Sequence, residues 1–141
     1  MTTTRLSPAL FLVSLALAAS VLAGEAQNAF NEGVKYHHAG KFKEATRAYN
    51  RAIELAPNAA EAYNNRGLAY YKLGQYDDAI RSFDEALRQQ SNLTDALYNR
   101  GNAYFIQKRY AQAIKDYDEA LRQNPKLAKA YYQRAQAYSG R

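Results

Sequence analysis

The sequence predicts an all-α solenoid, and three observations carry that expectation. Small and aromatic residues return at a step of 34: Gly33, Gly67 and Gly101; Ala45, Ala79 and Ala113; Tyr49, Phe83 and Tyr117; Ala52, Ala86 and Ala120. The helix-favouring residues Ala, Leu, Arg, Lys, Gln and Glu are abundant. Gly40, Gly74, Pro57 and Pro125 punctuate the chain between apolar-periodic segments. A fixed period of this size means one helical unit stacked on copies of itself, each copy covering an apolar face that its neighbour cannot bury alone.

Residues 1–23 stand apart from all that follows. Thr2, Thr3, Thr4 and Arg5 make a short polar, positive start, and Leu10 to Leu22 is rich in Leu, Ala and Val. Val21, Leu22 and Ala23 then offer a cleavage site before Gly24. That order reads as a secretory signal peptide, with an apolar run short for a membrane span. The alternative is an uncleaved signal anchor in an inner membrane. Without a Cys after the apolar run a lipid anchor is not supported.

The remaining chain, 24–141, divides into repeats at 26–59, 60–93 and 94–127 and a half repeat at 128–141. Helices are expected near 26–39, 42–55, 60–73, 76–89, 94–107, 110–123 and 128–139. Gly40 and Gly74 suit the positive dihedral that follows a helix, and Pro57 and Pro125 cannot continue one. Asn58, Asn92 and Asn124 belong to the same turns. Gly or Ala at one place in each first helix lets two antiparallel helices approach, and Tyr or Phe fills the space between the small residues.

These residues resemble the tetratricopeptide repeat (TPR) family. The first copy reads Ala29, Gly33, Tyr36, Gly40, Phe42, Ala45, Tyr49, Ala52, Pro57. The second reads Tyr63, Gly67, Tyr70, Gly74, Tyr76, Ala79, Phe83, Ala86, with Ser91 where the family has Pro. The third reads Leu97, Gly101, Tyr104, Lys108, Tyr110, Ala113, Tyr117, Ala120, Pro125, and the half copy starts with Tyr131, Ala135 and Tyr138. The resemblance implies a right-handed solenoid of three complete helix-turn-helix repeats with the last helix as a cap. Ser91 implies a less rigid second turn between repeats.

Composition narrows the function. Of 141 residues 48% are hydrophobic and 23% charged, ordinary for a globular domain, and the absence of Cys removes disulfides, thiolate nucleophiles and Cys-ligated metals. The formal charge of +6 falls to +5 when Arg5 of the leader is removed. Basic residues alternate with Asp77, Asp78, Asp84, Glu85, Asp118 and Glu119, where a nucleic-acid binder would gather them on one face. Adjacent His37 and His38 point about 100° apart on a helix and lack further ligands for a metal. No Ser-His-Asp set, phosphate loop or paired catalytic carboxylates can be assembled, so no enzyme and no cofactor are expected.

The resemblance also implies that first helices line a concave groove. Its candidate peptide-binding residues are Asn31, Asn65, Asn99 and Gln133, spaced every 34 residues, together with Asn64, Tyr71, Tyr98, Asn102, Phe105, Lys129 and Tyr132. A carboxamide both donates and accepts, so the Asn row can hold the backbone of an extended chain. Its second reading is a row of local contacts. Aromatics with polar tips give contact area at low entropic cost, and the second reading for each is packing between repeats. Family members that grip a carboxylate tail use Lys, Asn, Asn, Lys and Arg, where this chain has Asn64, Leu68, Asn99, Lys129 and Gln133. With two matches, carboxylate-tail binding is not expected.

A further row, Arg66, Arg100 and Arg134, sits beside the close-contact positions, with stems expected to pack and guanidinium groups to reach Asp116 or another second-helix carboxylate. Arg81 with Glu85 and Lys115 with Glu119 stand at i and i+4, as on a solvated face. The expected function is a monomeric, exported, non-enzymatic adaptor that binds a protein segment and supports envelope complex assembly. The alternative is a structural subunit docked permanently through the half repeat.

Overall fold

The computed structural model describes residues 3–140. Its elements are α1 (Pro8–His38), α2 (Phe42–Leu55), α3 (Ala60–Lys72), α4 (Tyr76–Gln89), α5 (Thr94–Ile106), α6 (Tyr110–Gln123) and α7 (Ala128–Ser139). No strand occurs among the described residues. From α2 on, the helix bounds fall within one residue of those expected.

The first helix differs: it begins at Pro8, and the leader runs unbroken into the first repeat. Ser7 caps it, accepting from the Leu10 amide at 3.3 Å, and Pro8 occupies the first turn, where its missing N–H costs nothing. Between Ala23 and Ala26 a change of composition occurs without a helix breaker; Gly24 adopts helical geometry with nothing near it. Residues 3–25 are all exposed. The helix is long and apolar enough to cross a membrane by length and composition, with an 18-residue window of mean hydropathy 2.0, a property shared by signal sequences and membrane spans.

Each helix packs against the next, and in addition α1 touches α3, α3 touches α5 and α5 touches α7. No two even-numbered helices touch in this way. The odd helices therefore form the inner, more tightly packed wall of a curved slab, and the even helices the outer one. This agrees with the side-chain pattern: α2, α4 and α6 carry a one-sided apolar stripe, whereas odd helices, contacted on several sides, bury residues around their circumference.

The pairing within each repeat depends on a glycine. A Cβ added at Gly33 would lie 2.5 Å from the Tyr49 ring, at Gly67 2.5 Å from Phe83, and at Gly101 2.7 Å from Tyr117. Those three rings are almost wholly buried. Burial pushes the Tyr49 phenol up to about 12 and raises Tyr117 as well.

Gly40 and Gly74 end their helices at φ +72° and +74°, and the next residue's amide bonds back five positions, Lys41 to Tyr36 and Gln75 to Tyr70. The third turn repeats this geometry, Arg109 to Tyr104, but Lys108 holds the left-handed position at φ 59°. Between repeats, Tyr63 Oη donates to the Pro57 carbonyl at 3.0 Å and Tyr131 Oη to that of Pro125 at 3.1 Å. Leu97 has no hydroxyl for the corresponding bond at Ser91. There α6 supplies the bracing instead: Gln123 accepts from Thr94 Oγ1 at 2.8 Å and donates to the Ser91 carbonyl at 3.4 Å.

Two stability outcomes follow from this geometry. Gly67→Ala should lower stability by about 1–3 kcal/mol in urea unfolding despite the better helix propensity of Ala, and Phe83→Leu in the same chain should restore part of the loss. A neutral Gly67→Ala would refute the close-approach account. Lys108→Gly should raise stability by about 1 kcal/mol, because it removes a side chain from the left-handed region, whereas Lys108→Ala should not.

Candidate functional site

The inner wall is built by the exposed faces of α1, α3, α5 and α7, and the carboxamide row lies along it. Asn31 is exposed and accepts from Gln27 Nε2 at 2.9 Å. Asn65 is half-buried and hydrogen-bonds the Tyr49 phenol. Asn99 donates through Nδ2 to Asn64 Oδ1 at 3.1 Å, tying α5 to α3. Gln133 donates to Asn102 Oδ1 at 3.4 Å, tying α7 to α5, and the same oxygen accepts from Tyr117 Oη at 2.8 Å. The row is thus brought together, with local partners at each step. Asn64, expected on the open face, is 8% exposed and serves as the acceptor beneath Asn99.

The aromatics sort into two kinds. Tyr71 meets Tyr76 edge-on with ring centroids 5.3 Å apart, Phe105 meets Tyr110 at 5.5 Å, and His37 meets Phe42 at 5.1 Å. These are equivalent places in three repeats, so each ring closes the hairpin of its own repeat instead of a junction between repeats. Burial is the main cause that raises the Tyr71 phenol and lowers the His37 imidazole, the latter helped by His38 and Lys72. Tyr98 leans on Tyr117 at 6.0 Å, and Lys129 Nζ stands 4.3 Å over the Tyr98 ring. Tyr132 is 66% exposed, the most open of the named aromatics on this wall.

The arginine row occupies the junctions behind the wall. Arg100 donates twice to Asp116, at 2.8 and 2.7 Å, and once to Asp84 at 2.7 Å. Asp116 lies 16 residues ahead in its own repeat and Asp84 16 residues behind in the previous one, so one guanidinium clamps α4 and α6 to α5. Arg66 does the same with neutral partners, Ser82 at 3.0 Å and Asn50 at 2.8 Å, and Arg134 reaches back to Asp118 at 2.5 Å. Burial opposes the Arg100 cation, but Asp116 and then Asp84 hold its pKa above the usual arginine range. Burial raises the Asp116 carboxyl above its ordinary value while Arg100 opposes the rise.

On the outer wall the ion pairs differ from the expected ones. Arg81 pairs with Asp78, Glu85 with Arg88 at 2.7 Å, and Glu119 with Arg122 at 2.5 Å, each at i and i+3. Among the described residues no group of three or more His, Asp or Glu gathers into a metal site.

A hollow that sequence reasoning missed opens at the end of the wall where α1, α2 and α3 meet. It is lined by Ala23, Ala26, Phe30, Ala52, Ala56, Ala59 and Ala62, with Gln27 and Glu61 at its lip. The signal was present: Ala59 stands where the other copies have Leu93 and Leu127.

Residues 66–128 match a family model described as tetratricopeptide repeat, and residues 33–74 match one described as TPR repeat. Together they run from 33 to 128, well over half the chain, and the chain belongs to the tetratricopeptide repeat family. No curated protein sequence matches it. Among solved structures it is similar to the first TPR of Spaghetti (RPAP3) bound to the HSP90 peptide SRMEEVD, at 26% identity over 83% of this chain and 93% of that one, with a TM-score of 0.82. It is similar to the TPR2B domain of yeast Sti1 in its pHsp70 complex, at 26% identity over 83% and 98%, with a TM-score of 0.80. The first TPR domain of human RPAP3 gives 25% over 84% and 93%, with a TM-score of 0.81.

The two sides of the arginine clamp should separate on substitution. Arg100→Met keeps the stem and leaves Asp116, whose side chain is 6% exposed, without its cation, and should cost about 3 kcal/mol in urea unfolding. Asp84→Asn, at a side chain 41% exposed, should cost under about 1 kcal/mol. Equal losses would show that the outer carboxylate holds Arg100 as strongly as the buried one.

Proposed function

We propose that this protein is a non-enzymatic adaptor that holds an extended protein segment along its inner wall. The observation that carries the reading is the row Asn31, Asn65, Asn99 and Gln133, supported by the fold shared with the TPR domains of Spaghetti and Sti1, whose structures contain an HSP90 peptide and pHsp70. Asn99 commits one N–H to Asn64, which leaves its carbonyl oxygen to receive a backbone amide of the guest. Asn31, exposed at the row's end, supplies a donor. Tyr98, Tyr132 and Lys129 extend the contact with a flat, partly cationic surface.

The leader supports a place of work outside the cytoplasm. Leu10, Phe11, Leu12, Val13, Leu15, Leu17, Val21 and Leu22 are each about half or more exposed, an apolar surface that water disfavours. The segment either leaves by cleavage after Ala23 during export or stays in the bilayer as a signal anchor. We favour cleavage, which yields a periplasmic or secreted monomer serving assembly of an envelope complex. N-terminal sequencing of the cell-envelope product distinguishes the two.

Asn65→Ala with Asn99→Ala should weaken capture of a bound peptide by about tenfold, on the order of one charge-free hydrogen bond per side chain, with the helical circular-dichroism signal retained. Full capture by the double variant would remove the carboxamide row from the binding mechanism.

A further inference from the structure

Resting on the groove reading above, the hollow between α1, α2 and α3 has a more specific use. We propose that it seats an aliphatic side chain of the bound segment, with a Lys or Arg of that segment beside it facing Glu61.

The hollow is a local departure from the repeat. Ala59, Leu93 and Leu127 begin equivalent helices with nearly identical backbones, at φ −78°, −78° and −76° and ψ 86°, 87° and 80°. Nothing in the conformation therefore requires Ala at 59. At the same junction Ala56 stands where the later copies have Gln90 and Asn124. Two truncations at one junction leave a space floored by methyl groups and walled by the Phe30 ring, which packs with Ala59 on the cluster of Ala29, Ala52 and Ala62. An apolar, preformed recess of this kind takes a branched apolar side chain, because no polar group within it needs satisfying. The wall from α1 includes Ala26 and, in the uncleaved chain, Ala23, so that helix lines the space and does not fill it.

The charge at the lip selects the neighbour. Glu61 borders the hollow and Asp95 follows it one repeat along the same row; both are exposed, and neither makes an ion pair among the described residues. Gln27 completes that end of the row without a cation. A carboxylate at the apolar recess, with a second one repeat further along the row, complements a segment in which a basic residue adjoins an aliphatic one.

The test uses the protein as purified from the cell envelope, against random peptides displayed on phage. Selection on the unaltered protein should enrich peptides with an aliphatic residue next to Lys or Arg. Ala59→Leu, which fills the hollow with the residue the other repeats already carry, should weaken the enriched peptide about tenfold or more while leaving the thermal midpoint unchanged or higher. Glu61→Gln should erase the preference for the basic neighbour and keep the aliphatic one. If peptides are enriched and Asn99→Ala weakens them but Ala59→Leu does not, the pocket assignment is wrong and the groove stands. If no peptide is enriched, the groove reading fails and this inference with it.

Discussion

The approach of an odd-numbered helix to the ring of the following even-numbered one governs this molecule. At Gly33, Gly67 and Gly101 a single methyl group would enter the ring of Tyr49, Phe83 or Tyr117. The spacing is 16 residues each time, so each repeat closes by the same contact and with the same crossing. With no side chain on one side and a large flat one on the other, the backbones come closer than two ordinary residues permit, and the aromatic area replaces the lost contacts. Once this hairpin is fixed, stacking has little freedom left: the odd helices meet one another and the even helices do not. Curvature, and hence an inner wall, is a consequence of that inequality.

The arginine row reinforces the stack at a second level. A guanidinium between Asp84 and Asp116 places a planar, multidentate donor where three helices converge, and its partners lie 16 residues to either side. The neighbouring Arg66 meets Asn50 and Ser82 in the same places. The geometry is therefore conserved between junctions while the charge is not. Buried ion pairs contribute modest net stability but make misalignment costly, since a slipped register would strand Asp116 without a cation. The neutral junction lacks that penalty, and it is the same one, between the first and second repeats, that holds the unfilled hollow.

How far the sequence could be read follows from what each feature demands. Helix bounds from 42 onward were legible to within a residue because Gly40, Gly74, Pro57 and Pro125 mark chain reversals directly. The start of α1 was not: the boundary at Ala23 is a change in composition, and composition does not interrupt a helix. The arginine row was legible because it recurs with the repeat, but its carboxylates do not recur at the first junction, where Ser82 and Asn50 stand in the places of Asp116 and Asp84. The choice of Asp78 over Glu85 for Arg81 was not, since both lie within reach on the same helix and only rotamers decide. Tyr71 and Phe105 looked like groove residues from their repeat position, yet their rings fold over Tyr76 and Tyr110, an orientation that depends on the turn between them.

The inner wall is a surface whose polar groups are partly occupied, and this shapes how it can bind. Asn64 with Asn99 and Asn102 with Gln133 satisfy part of their own hydrogen-bonding capacity across adjacent odd helices. An incoming chain gains little from replacing these bonds, because exchanging one hydrogen bond for another is nearly neutral. On the proposed reading, affinity would come from what the wall leaves open: the unfilled acceptor and donor positions of the carboxamides, the face of Tyr132, and the methyl-lined recess beside Glu61. The carboxamides are repeated at every step and cannot tell one guest sequence from another. The recess occurs where two Ala residues break the repeat, so on the proposed reading discrimination among guests would reside at a junction that departs from the pattern building the fold.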